Sequence, residues 1–207
     1  MNVSQLTVRL HAFITGLVTH LAQREKDLFV KVKPVASLVS VSIECHAEDA
    51  PRIIGKGGAH FKALTRIVQA IGSKNKLLIR LNAIEAERLE DSDAPSTWGF
   101  KPDRNWDRAG IKRLLLETCR MVFRNGDCIQ VIERDDNAQT LTMFFVSVAR
   151  NEPMELCLEM TNDLNTLFNA IGKRRGRLLQ VGVIPEQEPE TPQPKSAAGR
   201  FAREVEL

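Results

Sequence analysis

No stretch of the sequence approaches the roughly 18 consecutive apolar residues of a membrane-spanning helix. We therefore expect a soluble protein with no membrane partner. The nearest thing to a secretory core is LHAFITGLVTHLA, with only Arg9 as a basic residue before it. Apolar positions Leu6, Leu10, Phe13, Leu17 and Leu21 step by three and four. That is one face of an amphipathic helix over about residues 5–24, not a cleaved signal. The four cysteines, Cys45, Cys119, Cys128 and Cys157, include no CxxC pair and lie in apolar-rich stretches. They read as reduced, buried thiols of a cytoplasmic protein, not as a disulfide framework or a zinc site. His46 beside Cys45 would point to the opposite face of a strand. There is no GxSxG, no HExxH and no tight carboxylate pair in a recognisable setting. These absences leave enzymatic chemistry without support, and we expect neither cofactor nor metal.

Charge is present but uneven. Residues 1–84 carry a net +7 and residues 85–207 a net −4. The first half is a basic module and the second is mildly acidic, which bears on partners and not on fold.

After the first helix, Leu28, Val30 and Val32 alternate, and so do Val39, Val41 and Ile43. Two strands follow from this, with Pro34, Ala36 and Ser37 in the turn between them. AEDAPRII reads as a short helix. A longer one runs from about Ala59 to Ile71 with Phe61, Leu64, Val68 and Ile71 on one face, and Gly72 ends it. KLLIRLNAI is a third strand. Residues 85–108 read as a linker, rich in acids and prolines. Its Trp98, Phe100 and Trp106 are expected to pin it onto one or both domains, ahead of base stacking.

The second half starts again with a helix whose face is Ile111, Leu114, Leu115, Thr118 and Val122. RNGD stops it. CIQVIER and LTMFFVSVA are strands joined by DDNAQ. NEPMELCLEMTNDLNTLFNAIG is helical, with a break expected near Met160–Asn162 where Thr161 would cap a second helix. RLLQVGVI is the last strand. QAIGSKNKLLIRLNAI and NAIGKRRGRLLQVGVI align without gaps at an offset of 100. Leu64 meets Leu164 and Ile67 meets Leu167 at the same offset. This reads as a tandem duplication. The expected fold is α+β, with two tandem α-β-β-α-α-β units, each a three-stranded sheet covered by helices. The boundaries are 1–84, linker 85–108, 109–184, and a tail 185–207 whose four prolines and three glutamates at its start favour disorder.

One short run stands apart. PRIIGKGGAHFK places Gly55, Gly57 and Gly58 around Lys56, just before a helix. Glycine lets backbone N–H groups approach a phosphate closely. A helix start adds unpaired donors and the positive dipole end. The run is neither GxxxxGK[ST] nor GxGxxG, since His60 stands where the latter needs glycine. The segment IIGKGG, set between two short helices after two strands, resembles the I-I-G-x-x-G signature of KH domains. The element order resembles the type II form, and residues 1–84 resemble the small stand-alone bacterial KH RNA-binding proteins. That resemblance implies a loop, Gly55-Lys56-Gly57-Gly58, that clamps about four single-stranded nucleotides. It also implies that Ile53, Ile54, Val41 and Ile43 supply groove or core, plain packing being the competing reading. Arg52, Lys62 and Arg66 would steer phosphate, and His60 would donate to it or simply be exposed.

The second unit departs from the family at the decisive place. Glu155, Leu156, Cys157 and Leu158 stand where the glycine loop would be, and residues 151–168 contain no glycine. It is expected to be degenerate, and Lys173-Arg174-Arg175-Gly176-Arg177 reads as a charged turn complementing its own helix end, ahead of a second phosphate patch. The expected function is single-stranded RNA binding, as an RNA chaperone or post-transcriptional regulator. The alternative is an interaction or scaffold module, on a ribosome, with another RNA-binding protein or in a homodimer.

Overall fold

The computed structural model describes residues 2–35, 38–87, 108–124, 129–135, 141–149 and 151–185. Ala36, Ser37, Trp98, Phe100, Trp106, Cys128, most of the RNGD and DDNAQ turns and the tail from 186 lie outside these residues. Helix α1, Val3–Leu21, starts at a capping box. The Asn2 side chain accepts from the Gln5 amide at 2.8 Å, and the Gln5 side chain accepts in return from the Asn2 amide. The helix ends short of Arg24 because Ala22 is extended. The Gln23 and Arg24 amides instead donate to the buried Asp49 carboxylate, at 2.9 and 2.8 Å.

Strands β1, Phe29–Val35, and β2, Leu38–His46, pair antiparallel. Pro34 lies within β1 and not in the turn. Since β1 is a sheet edge, its missing N–H costs no ladder bond. Helix α2, Ala50–Ile54, and helix α3, Ala59–Lys74, follow. Strands β3, Leu78–Leu81, and β4, Glu85–Glu87, both run parallel to β2. The first sheet therefore has four strands rather than three, and its last lies within the stretch expected to be linker.

Beyond it come α4, Arg108–Val122, β5, Gln130–Asp135, β6, Leu141–Val148, α5, Met154–Arg174, and β7, Leu178–Pro185. Strand β5 is antiparallel and β7 parallel to the central β6. Helix α5 is unbroken. The Thr161 hydroxyl donates back to the Cys157 carbonyl at 2.8 Å inside the helix, so it caps nothing. The element order here is α-β-β-α-β, one helix standing where the first half has two.

The molecule is α+β. Helices α1 and α3 cover the first sheet, α4 and α5 the second, and the four pack on one another between the sheets. One apolar core runs through both halves. Helix α3 buries Leu64, Val68 and Ile71, as its periodicity predicts, while Phe61 is only partly covered. It also buries Ala63 and Ile67, because α5 packs on α3 as well as the sheet. Arg66 is tied to that neighbour. Its Nε donates to both oxygens of the buried Asp163, at 3.0 and 2.8 Å, and a terminal nitrogen joins them. Arg9 and Glu117 add a pair between α1 and α4 at 3.2 Å.

Gly72 does not end α3, which runs on to Lys74. A Cβ there would lie 2.6 Å from the Leu77 carbonyl oxygen, so glycine permits a close helix–strand approach. The left-handed residue of that turn is Lys76, with φ 55°. The second half has the same turn. A Cβ on Gly172 would meet the Arg177 carbonyl at 2.8 Å, and Gly176 has φ 69°. Lys74 donates to the Arg120 and Phe123 carbonyls around the end of α4. Arg174 donates to the His20 and Ala22 carbonyls at the end of α1. The Arg124 amide donates to the buried Glu152, just as the chain after α1 donates to Asp49.

Among the described residues no helix is long and apolar enough to cross a membrane. Cys45, Cys119 and Cys157 are free and buried, and burial pushes each thiol pKa up.

The Arg66–Asp163 pair yields a stability prediction. Arg66→Ala leaves a buried carboxylate without its cation. Breaking a fully buried pair costs about 3–5 kcal/mol, and the Arg66 side chain is 54% exposed. We expect a loss of about 2 kcal/mol by urea denaturation. A loss below about 0.5 kcal/mol would remove the pair from the forces joining the halves.

Candidate nucleic-acid interface

The GKGG run forms a tight turn between α2 and α3. The Gly55 amide closes α2 on the Pro51 carbonyl, and the Gly58 amide donates to the Gly55 carbonyl at 3.0 Å. All three glycines have positive φ: 77° at Gly55, 61° at Gly57 and 77° at Gly58. Side-chain-bearing residues rarely adopt this region, at about 1–2 kcal/mol each. The shape of the turn therefore demands glycine, and space adds a second demand at one position. A Cβ on Gly55 would lie 2.5 Å from Cγ of His60, while one on Gly57 would meet nothing within 4 Å.

This geometry leaves donors unused. Among the described residues the amides of Lys56 and Gly57 find no backbone acceptor, and Gly58, the N-cap of α3, supplies no side-chain cap. Lys56 and Gly57 are exposed. The result is an open concavity of N–H groups at the positive end of a 16-residue helix.

The cations expected around the loop divide into two sets. Lys56 and Lys62 have exposed side chains and, among the described residues, no ion pair. The Lys62 chain passes the loop, its Cε 3.8 Å from where a Gly58 Cβ would stand. Arg52 is engaged by Asp49 at 3.0 Å and by the Glu48 carbonyl at 3.2 Å. Arg66 is held by Asp163. Arg66 is expected from the sequence to steer phosphate, and its guanidinium also serves the contact between α3 and α5. His60 has a fixed task too. Its Nδ1 lies 2.8 Å from the Arg52 carbonyl, which can only accept, so Nδ1 carries the proton. The same ring lies against Gly55. Of the four apolar residues, Val41, Ile43 and Ile53 are core and only Ile54 is exposed.

No family model matches the chain, and no solved structure does. Three curated relatives do. They are the RNA-binding protein KhpA of Listeria monocytogenes serovar 1/2a, of Listeria innocua serovar 6a and of Listeria monocytogenes serotype 4b. Each is 33% identical over 72 residues, which is 35% of this chain and 95% of the relative. This chain belongs to the KhpA family.

The KhpA match covers about a third of this chain, and the second half is read here from its own geometry. There Glu155, Leu156, Cys157 and Leu158 are ordinary helix residues near the start of α5. The Cys157 amide donates to the Pro153 carbonyl at 3.1 Å. In α5 the intrahelical bonds begin at Cys157, and the first-turn amides of Glu155 and Leu156 sit under an acidic and an apolar side chain where the GKGG turn has lysine among glycines. Arg174 also differs from expectation. It complements the end of α1 and not that of its own helix. Sequence periodicity within one helix cannot show such a partner, although the density of basic residues at 173–177 marks the place.

Replacing the glycines should separate shape from space. Gly57→Ala should cost about 1–2 kcal/mol, the left-handed penalty alone. Gly55→Ala should cost more, since the His60 ring must also move. Equal melting temperatures for the two variants would contradict the packing of His60 on Gly55.

Proposed function

We propose that this chain binds single-stranded RNA, with the Gly55-Lys56-Gly57-Gly58 turn as its phosphate clamp. The observation that carries the reading is the open pair of amides at Lys56 and Gly57, on a turn whose three glycines all need positive φ. A phosphate seated there accepts from these amides and gains from the α3 dipole. Lys56 and Lys62 supply mobile positive charge. Gly57 lets the strand approach closely, since nothing fills the space beside its Cα. Ile54 offers apolar surface next to the clamp. The relatives are named as RNA-binding proteins, which supports the choice of ligand.

We read the second half as a duplicate of the first that has lost this site. The shared turns at Gly72 and Gly172, the mirrored roles of Lys74 and Arg174 and the matching buried acids Asp49 and Glu152 support a common origin. A non-enzymatic, cytoplasmic role in RNA handling follows, as a chaperone or post-transcriptional regulator. The competing role, a ribosome-associated scaffold, a partner of another RNA-binding protein or a homodimer with incidental RNA contact, differs in its salt response. A clamp of this kind should lose affinity with a log–log slope of about −0.7 per contacted phosphate.

The direct test is binding of a random-sequence single-stranded RNA to the Lys56→Asp/Gly57→Asp variant. We expect at least a roughly tenfold loss with a shallower salt slope. A folded variant that binds like wild type would contradict the clamp. Glu155→Lys should change affinity by less than about twofold, because no glycine opens the first turn of α5 to a close-approaching strand. A tenfold gain would contradict the loss of the site in the second half.

A further inference from the structure

A cleft of about 450 Å³ opens between the two halves beside the glycine turn. Its walls include Leu21, Arg52 and His60 from the first half and Asn169, Lys173 and Arg174 from α5. The volume lies within the roughly 300–1,000 Å³ usual for small-ligand sites. We propose that this cleft seats the nucleotide adjacent to the clamp, so that the second half, without a clamp of its own, completes the RNA site of the first.

Continuity is the first argument. The His60 ring lies against Gly55 and also lines the cleft, so a strand leaving the clamp meets the cleft across one side chain. Charge is the second. Lys173 is exposed and has no ion pair among the described residues. Arg174 is held beside it by the α1 carbonyls and stays in the wall. The nearby Asp49 carboxylate is already occupied by two amides and Arg52. The field in the cleft therefore favours a phosphate, and Lys173 is the cation free to meet it. The third argument is an unsatisfied acceptor. Oδ1 of Asn169 is buried with no hydrogen-bond donor. Buried polar atoms are rarely left in this way. The exocyclic amino group of adenine or cytosine would satisfy it, whereas uracil offers only its ring N3–H, at a different place on the base edge. Ala170, only partly buried, provides apolar surface for a base.

The proposal rests on the loop being an RNA clamp, so its test must tell the two apart. Fluorescence anisotropy of A, C and U decamers on the full chain does this with four variants. Lys173→Glu should weaken all three decamers, about tenfold, and make the salt slope shallower by about 0.7. Lys173→Gln should give a smaller loss in the same direction. Asn169→Ala should weaken the A and C decamers by about fivefold or more and the U decamer by less than about twofold. Both positions are safe to alter, since Lys173 is exposed and Asn169 Oδ1 has no bond to lose. Unchanged affinity and slope in Lys173→Glu, with binding lost in Lys56→Asp/Gly57→Asp, would overturn the cleft and spare the clamp. Wild-type binding by the loop variant would overturn the clamp, whatever Lys173 does. Equal losses on all three decamers in Asn169→Ala would overturn the base contact. Free AMP binding as tightly as the A decamer would make this a mononucleotide site and overturn the seat for a strand.

Discussion

Helix α3 is buried from two directions, against its own sheet and against α5, and much of the rest follows from that. Leu64, Val68 and Ile71 would suffice for a helix lying on one sheet. Ala63 and Ile67 are buried as well, and Arg66 reaches the buried Asp163 across the join. Each large apolar side chain so buried contributes about 1.5–3 kcal/mol. A buried carboxylate without its cation would oppose association. The contact therefore fixes where α3 begins, and the glycine turn sits at that beginning.

The same contact gives the second half a role without a glycine loop. Its long helix α5 carries Asp163 near the middle and Lys173 and Arg174 at the end. Arg174 closes the end of α1, as Lys74 does for α4. Two helix ends are thus complemented across the join and not within the half that made them. The charge imbalance between the halves, basic against acidic, is partly this exchange, with Arg9–Glu117 and Arg66–Asp163 as its ion pairs.

Much of the fold was legible because it rests on local periodicity. The face of α1 at Leu6, Leu10, Phe13, Leu17 and Leu21 is buried in full, and so are the inward residues of β2. The turn at Gly55–Gly58 was legible because few other residues adopt positive φ. What was missed depends on neighbours distant in sequence. Gly72 reads as a helix stop, yet it is small because β3 passes close by. Arg66 shares a face with Lys62 on the helix, and only the position of Asp163, 97 residues away, shows that it also serves the contact between α3 and α5. The unbroken α5 escaped because Thr161 serves as a cap or as an interior residue equally well by composition. The cleft residue Asn169 has no local signal at all and Lys173 only the basic run it opens, because the cleft exists only where the halves meet.

The central claim is that the amides left open by the GKGG turn hold the phosphate, while the corresponding helical amides of α5 do not. Amide chemical-shift perturbation during titration with a short single-stranded RNA tests this residue by residue. The account predicts that the largest changes fall on Lys56, Gly57 and Gly58, with Leu156, Cys157 and Leu158 unmoved. Shifts confined to the sheets, with the Lys56 and Gly57 amides unchanged at saturation, would contradict it.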